Sequence, residues 1–299
     1  MTLPNFLIIG AAKSGTSSLY KYLSAHPEIF VPDFKEPSFF SWEDNRPCHR
    51  GPGDKGTDGG VVCDRSAYEA MFDPVSAEKA FGEASVNYIY YPWSAENIHR
   101  TIPGVRLIVV LRNPVERAYS SFMQLVLDGR ETTDDFSRGL ALEEERLRDN
   151  WQPLWAYKDA GLYHQQLEHY YRLFPRAQIR VYLYEDLSKD PGSMLRDIYR
   201  FLGVDDSFEG DTATRYNVSG VTRSRFLTQM IRRRSVLKAV YQRVVPLGTR
   251  RNLTTRLKEW NVIKVAMPED ARQQLVAAFR DDIVKLEELI GRDLSHWRT

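Results

Sequence analysis

The stretch Phe6-Leu-Ile-Ile-Gly-Ala-Ala-Lys13-Ser-Gly-Thr-Ser-Ser-Leu19 runs from an unbroken apolar segment into a turn of Gly, Lys, Ser and Thr. An apolar run of that length fits a strand buried on both faces of a parallel sheet, and the hydroxyl-rich residues after it open a helix. Residues 5–10 read as the strand and 16–25 as the helix, which stops before His26-Pro27. Backbone N–H groups, hydroxyls and one lysine therefore converge on a single point, an arrangement that suits phosphate or sulfate oxygens.

Working outward, the same alternation recurs. Residues 105–111 are apolar after Arg106 and end at Arg112-Asn-Pro, with a helix following to about 127. Residues 81–86 and 179–184 read as further strands, 29–31 as a short extended piece, and 159–174, 191–202 and 268–290 as helices. Strands alternating with helices predict an α/β fold, a three-layer arrangement around a parallel sheet with right-handed crossovers. No repeat or linker divides the 299 residues, so one domain is expected. Residues 43–64, rich in Gly, Pro and charge, read as a mobile surface loop.

Composition excludes little but frames the rest. Net charge is +1, which makes no overall case for nucleic acid as a partner. Charge is uneven, however: residues 221–258 hold eleven Lys/Arg and no Asp/Glu, read as a basic helical segment. A solvated face explains it, and so does peripheral contact with a membrane or an anionic partner. No apolar stretch is long enough for a membrane span, and no signal-peptide pattern opens the chain, so a cytoplasmic location is expected. Cys48 and Cys63 are too few for a metal site by themselves; no metal is expected, and free thiols are the default.

Ligands of parallel α/β folds sit at the carboxyl ends of the strands, so the residues just past each apolar run carry the interest. These are Lys13, Ser14, Gly15, Thr16, Ser17 and Ser18, then Arg112 and Ser120, with Glu83 near the 81–86 strand. The first turn nearly spells the nucleotide-binding P-loop, since Gly10 and Gly15 have its spacing. Thr16 stands where that motif has its lysine, and Lys13 lies inside the loop instead.

Lys13-Ser-Gly-Thr-Ser-Ser-Leu19 resembles the 5′-phosphosulfate loop of sulfotransferases that use 3′-phosphoadenosine-5′-phosphosulfate (PAPS). Arg112-Asn-Pro-Val-Glu-Arg-Ala-Tyr-Ser120 is similar to their 3′-phosphate motif. Lys35-Glu-Pro-Ser-Phe-Phe40 and Phe81-Gly-Glu-Ala-Ser-Val-Asn-Tyr88 resemble two blocks of the glycosaminoglycan branch. The resemblance implies a P-loop-like sulfotransferase fold, PAPS as donor and PAP as product. It implies that Lys13 contacts the phosphosulfate bridge, that residues 14–18 cradle the 5′-phosphate and that Arg112 and Ser120 select the 3′-phosphate. Glu36 would be the general base and Glu83 a reserve catalytic carboxylate. Tyr184 is similar to a tyrosine near the adenine, with a core tyrosine as the other reading. Gly220, Arg223 and Arg225 occupy the place of a loop that closes over the donor.

The chain also departs from that pattern. Ala84 stands where the glycosaminoglycan enzymes often have a lysine, and their cysteine-flanked closing loop is missing. His26, beside Pro27, reads as structural rather than as a base. The acceptor stays open among carbohydrate, lipid and other small molecules bearing a hydroxyl or an amine. Tyr88, Tyr90, Tyr91, Trp93, Trp151 and Trp155 fit an aromatic acceptor pocket or the core. Two other functions stay open: a P-loop-like kinase or NTPase, and a nucleotide-binding protein without catalysis.

Overall fold

The structure is a computed structural model that describes residues 2–212, 221–222, 262–263 and 266–299. Five parallel strands form its sheet: β1 (Phe6–Gly10), β2 (Ile29–Phe30), β3 (Ala80–Ala84), β4 (Arg106–Leu111) and β5 (Ile179–Leu183). Their order is β2-β3-β1-β4-β5. Phe6 pairs with both Gly82 and Arg106, so β1 lies at the centre.

Alternation along β1 and β4 makes the three layers. Phe6 and Ile8, with Ile108 and Val110, pack on one face against Leu19 and Leu23 of the first helix and Ile198 and Leu202 of helix Pro191–Leu202. Leu7, Ile9, Leu107 and Val109 point the other way. They meet helices Pro114–Leu127, Tyr163–Leu173 and Glu269–Ile290. Because both faces are covered, the strands show no polar alternation, as expected of a parallel sheet. The expected α/β three-layer parallel sheet is what the chain forms.

Chain direction reverses between β1 and β4. From β1 the chain crosses to β2 on one side, and from β4 it goes to β5 on the other. That switch point opens a crevice at the carboxyl ends of two neighbouring strands. Lys13 follows one of these strands and Arg112 the other.

Several expectations need correction. Residues 43–64 lie mostly at the surface, but buried residues anchor them to the body. Asp54 and Asp58 are buried there, on the short helix Asp54–Asp58. Asp54 accepts from Gly51 N (2.9 Å), Gln152 N (3.1 Å) and Trp155 Nε1 (3.1 Å), and pairs with Arg130. Asp58 accepts from His49 N and Gln152 Nε2, both at 2.8 Å. Those partners lie up to 101 residues away, so local composition carries no sign of them. The helix expected over 159–174 is broken into a 3-10 turn, Asp159–Gly161, and a helix, Tyr163–Leu173. Gly161 sits where an added Cβ would meet Phe279 at 2.7 Å, so the glycine lets the last helix approach. Residues 221–222 are a short strand (β6) paired antiparallel with 262–263 (β7), not helix. The rest of the basic segment, with Gly220, Arg223 and Arg225, lies outside the described residues.

Cys48 and Cys63 are free thiols. His26 is buried against Tyr199 and Phe208, as a structural residue would be. Among the described residues no helix is long and apolar enough to cross a membrane.

Candidate active site

A cleft of about 730 Å³ opens at the switch point, and three pieces of chain wall it. The first is the turn after β1. Lys13 and Gly15 both adopt left-handed backbone, with φ of 69° and 86°. At Gly15 a Cβ would also strike Leu187 at 2.8 Å and Tyr184 at 3.2 Å, so glycine is required on two counts. The helix that begins at Thr16 has no side chain capping its start, leaving its first N–H groups directed at the cleft. Gly15, Thr16, Ser17 and Ser18 line the cleft. Ser14 is wholly buried and outside that lining, and its N–H donates to Ala11 O at 3.3 Å.

The second wall carries Arg112. Its Nη1 donates to the Lys13 carbonyl at 3.3 Å, and its guanidinium lies 5.0 Å from the centre of the Tyr184 ring. Glu116 approaches Arg112 only to 4.0 Å and bonds Arg272 at 2.5 Å, so its pairing with Arg112 is loose. Tyr184 therefore supports Arg112 and packs beside Gly15 on the cleft wall, and is not a core residue. Ser120 is buried in helix Pro114–Leu127 and does not line the cleft.

The third wall is the strap 35–40. Lys35 Nζ bonds Glu36 Oε1 at 2.9 Å and Ser17 Oγ at 3.2 Å, joining the strap to the first turn of the helix. Glu36, 42% exposed, has φ of 64°, and Ser38 has φ of 54°. Left-handed backbone at residues with side chains costs about 1–3 kcal/mol each and concentrates at functional sites. Lys13 Nζ donates to Gln124 Oε1. Burial, then the Arg112 charge, lowers Lys13 to about 8, while Asp128 and Glu36 pull the other way.

Glu83 lies behind this wall. Fully buried and outside the cleft lining, it accepts from Tyr88 Oη (2.7 Å), Ser85 Oγ (2.8 Å) and Tyr68 Oη (3.3 Å). Burial raises its carboxyl to about 7. The six aromatic residues considered for an acceptor pocket do not line the cleft: Tyr88, Tyr91 and Trp155 are buried, and Tyr90 bonds Asp159. Polar residues line the cleft instead, among them Thr57, Asn87, Asp128, Arg130 and Gln152. Sequence reasoning missed Gln124, Arg130 and Gln152, which reach the cleft only through the fold. It also passed over Lys35, though its place beside Glu36 was a usable signal.

Comparison with known proteins agrees with this geometry. A profile described as Sulfotransferase family matches residues 4–209. A crystal structure of a sulfotransferase from Alicyclobacillus acidocaldarius is 38% identical, with a TM-score of 0.80, each chain covering 100% of the other. Heparan sulfate glucosamine 3-O-sulfotransferase 6 of Homo sapiens is 29% identical over 202 residues, covering 67% of this chain and 52% of that protein. Membrane-associated sulfotransferase kil1 of Dictyostelium discoideum is 26% identical over 282 residues, covering 68% and 57%. The chain thus spans about half the length of these two curated relatives. A phosphate-suited turn, an arginine bonded to it and a cleft at the sheet's switch point therefore have one family in common: the chain belongs to the sulfotransferase family.

Proposed function

We propose that the chain transfers a sulfuryl group from PAPS to a hydroxyl of a carbohydrate acceptor. The observation that carries this reading is the meeting of Lys13, Arg112 and Glu36 in one cleft. Two cations stand together through the Arg112–Lys13 carbonyl bond, and a carboxylate faces them across the Lys35 bridge.

In the transfer, the bond from sulfur to the donor's bridging oxygen breaks and a bond to the acceptor oxygen forms. The acceptor's proton passes to Glu36. The electron pair stays on the leaving phosphate, where Lys13 and the helix N-terminus meet the growing charge. Such a reaction asks for positioning and charge stabilisation above all. Lys35, between Ser17 and Glu36, adds a third cation at the point of transfer. Arg112 and Tyr184 would hold the nucleotide end. A carbohydrate suits the cleft because Thr57, Asn87 and Gln152 offer hydrogen bonds on its wall.

The test is thermal-shift binding with PAP, ATP and Mg²⁺ in parallel. PAP alone should stabilise the protein, and Arg112→Ala should abolish that gain. A PAP response unchanged in Arg112→Ala would remove the assigned site. A gain requiring both ATP and Mg²⁺ would favour the kinase reading.

A further inference from the structure

Glu83 has no route to an acceptor, yet it is the hub of the bonds that fix the strap. Three backbone N–H groups of the strap attach to the end of β3 and the residues after it. Glu36 N donates to Ala84 O at 3.0 Å. Ser38 N donates to Ser85 Oγ at 2.9 Å, and Phe40 N to Tyr88 Oη at 3.3 Å. The two hydroxyls that accept these bonds both spend their own hydrogens on Glu83: Ser85 on Oε2 and Tyr88 on Oε1. A hydroxyl has one hydrogen, and once that is committed only lone pairs face outward. The carboxylate therefore decides which way both hydroxyls point, and so which strap amides they can hold.

We infer that Glu83 is a positioning residue: through Ser85 and Tyr88 it holds the strap in the left-handed turns that present Glu36 to the cleft. The inference rests on Glu36 being the base of the proposed transfer. An ionised carboxylate accepts on both oxygens and has no hydrogen of its own to place. A neutral acid carries a proton on one oxygen, which then competes as a donor toward Ser85 or Tyr88. A glutamine has the same fault, because its NH₂ group cannot accept. Two residues of the strap hold φ between 54° and 64° against their intrinsic preference, so loss of these ties releases it.

Burial raises Glu83 to about 7, so its protonation falls within an accessible range. The groups facing it are Tyr68 from helix Arg65–Ala70, Tyr20 from helix Thr16–Leu23, Ser85 and Tyr88 from the segment after β3, and Glu36 from the strap. As pH falls through about 7 the strap should loosen.

The experiment is amide hydrogen exchange on the full chain, read at Glu36, Ser38 and Phe40 in wild type, Glu83→Gln, Ser85→Ala and Tyr88→Phe. The last two variants each delete one hydroxyl and keep the proposal testable should Glu83→Gln fold poorly. Exchange at Ser38 should rise about tenfold or more in Ser85→Ala, at Phe40 in Tyr88→Phe, and at both in Glu83→Gln, with core strands unchanged. In wild type, protection of these amides, corrected for intrinsic rates, should fall below about pH 7; in Glu83→Gln it should be flat. PAP affinity should stay within about twofold, while kcat for PAPS turnover with a glucosamine-containing oligosaccharide drops roughly 10- to 100-fold at unchanged KM for PAPS. Full protection of Ser38 and Phe40 in Glu83→Gln would overturn the inference. Wild-type protein that binds no PAP would overturn the donor reading instead, and the exchange data would still decide the role of Glu83.

Discussion

The turn at Lys13 and the strap at Glu36 face each other across the cleft, and both hold residues in left-handed backbone. They are built in opposite ways. The turn is a local device: β1 delivers it, Gly15 permits it and the helix after it supplies the N–H groups, all within fourteen residues. The strap has no glycine, and the helix it runs into is the single turn Phe39–Trp42. Buried side chains 47 and 48 residues further along the chain hold it, through Ser85 and Tyr88. The donor side is thus fixed by chain geometry, and the acceptor side by a hydrogen-bond network that a single buried change can disturb. Damage to one wall should therefore leave the other working.

The largest expected effect breaks the strap side alone. Glu36→Gln should lower kcat by about 10²- to 10⁴-fold, the usual share of a general base, while PAP titration by calorimetry finds unchanged affinity. Next comes the stability cost of the buried hub. Glu83 moves from an ordinary 4.5 to about 7 on folding, so the folded state binds the extra proton between those values. Stability should then fall as pH rises from about 4.5 to 7, by about 3 kcal/mol, and denaturant titrations of Glu83→Gln should lack that fall. The site is held at the expense of the fold, a common trade at functional residues.

Breaking the turn side is the converse test. Gly15→Ala forces a side chain onto a φ of 86° and into Leu187, so PAP affinity should drop about 10- to 100-fold, as strain of about 1–3 kcal/mol implies. Amide exchange in the strap should not change. The smallest effect sharpens the comparison by pH. Lys13 is lowered to about 8, so it loses its charge as pH rises through that value. PAP binding, which favours the charged lysine, should weaken up to about tenfold per pH unit above 8. Calorimetry in buffers of different ionisation heat should detect proton uptake there. A pH-independent affinity between 7 and 10 would remove Lys13 from the donor contacts.

Legibility in the sequence follows the same division. The apolar runs that became β1 and β4 announced a sheet covered on both faces, and the residues past their ends led to Lys13 and Arg112. Ser120 shows the limit of that reading: its spacing from Arg112 was visible, but its burial in the helix was not. The anchoring of the stretch 43–64 was hidden for a related reason. Its Gly and Pro content reads as loop, while Asp54 and Asp58 find their partners around residue 152. Helices Pro92–Thr101 and Phe136–Ala141 also went unread.

By itself the sequence determined the sheet's two central strands, the glycine turn, the arginine opposite it and the family motifs, because each is written in residues close along the chain. Only the tertiary structure decided that Lys35 bridges Ser17 to Glu36, that Glu83 lies behind the cleft wall and that the aromatic residues stay out of the cleft. Burial and hydrogen-bond direction depend on which distant segments meet, and no local pattern of residues encodes that meeting.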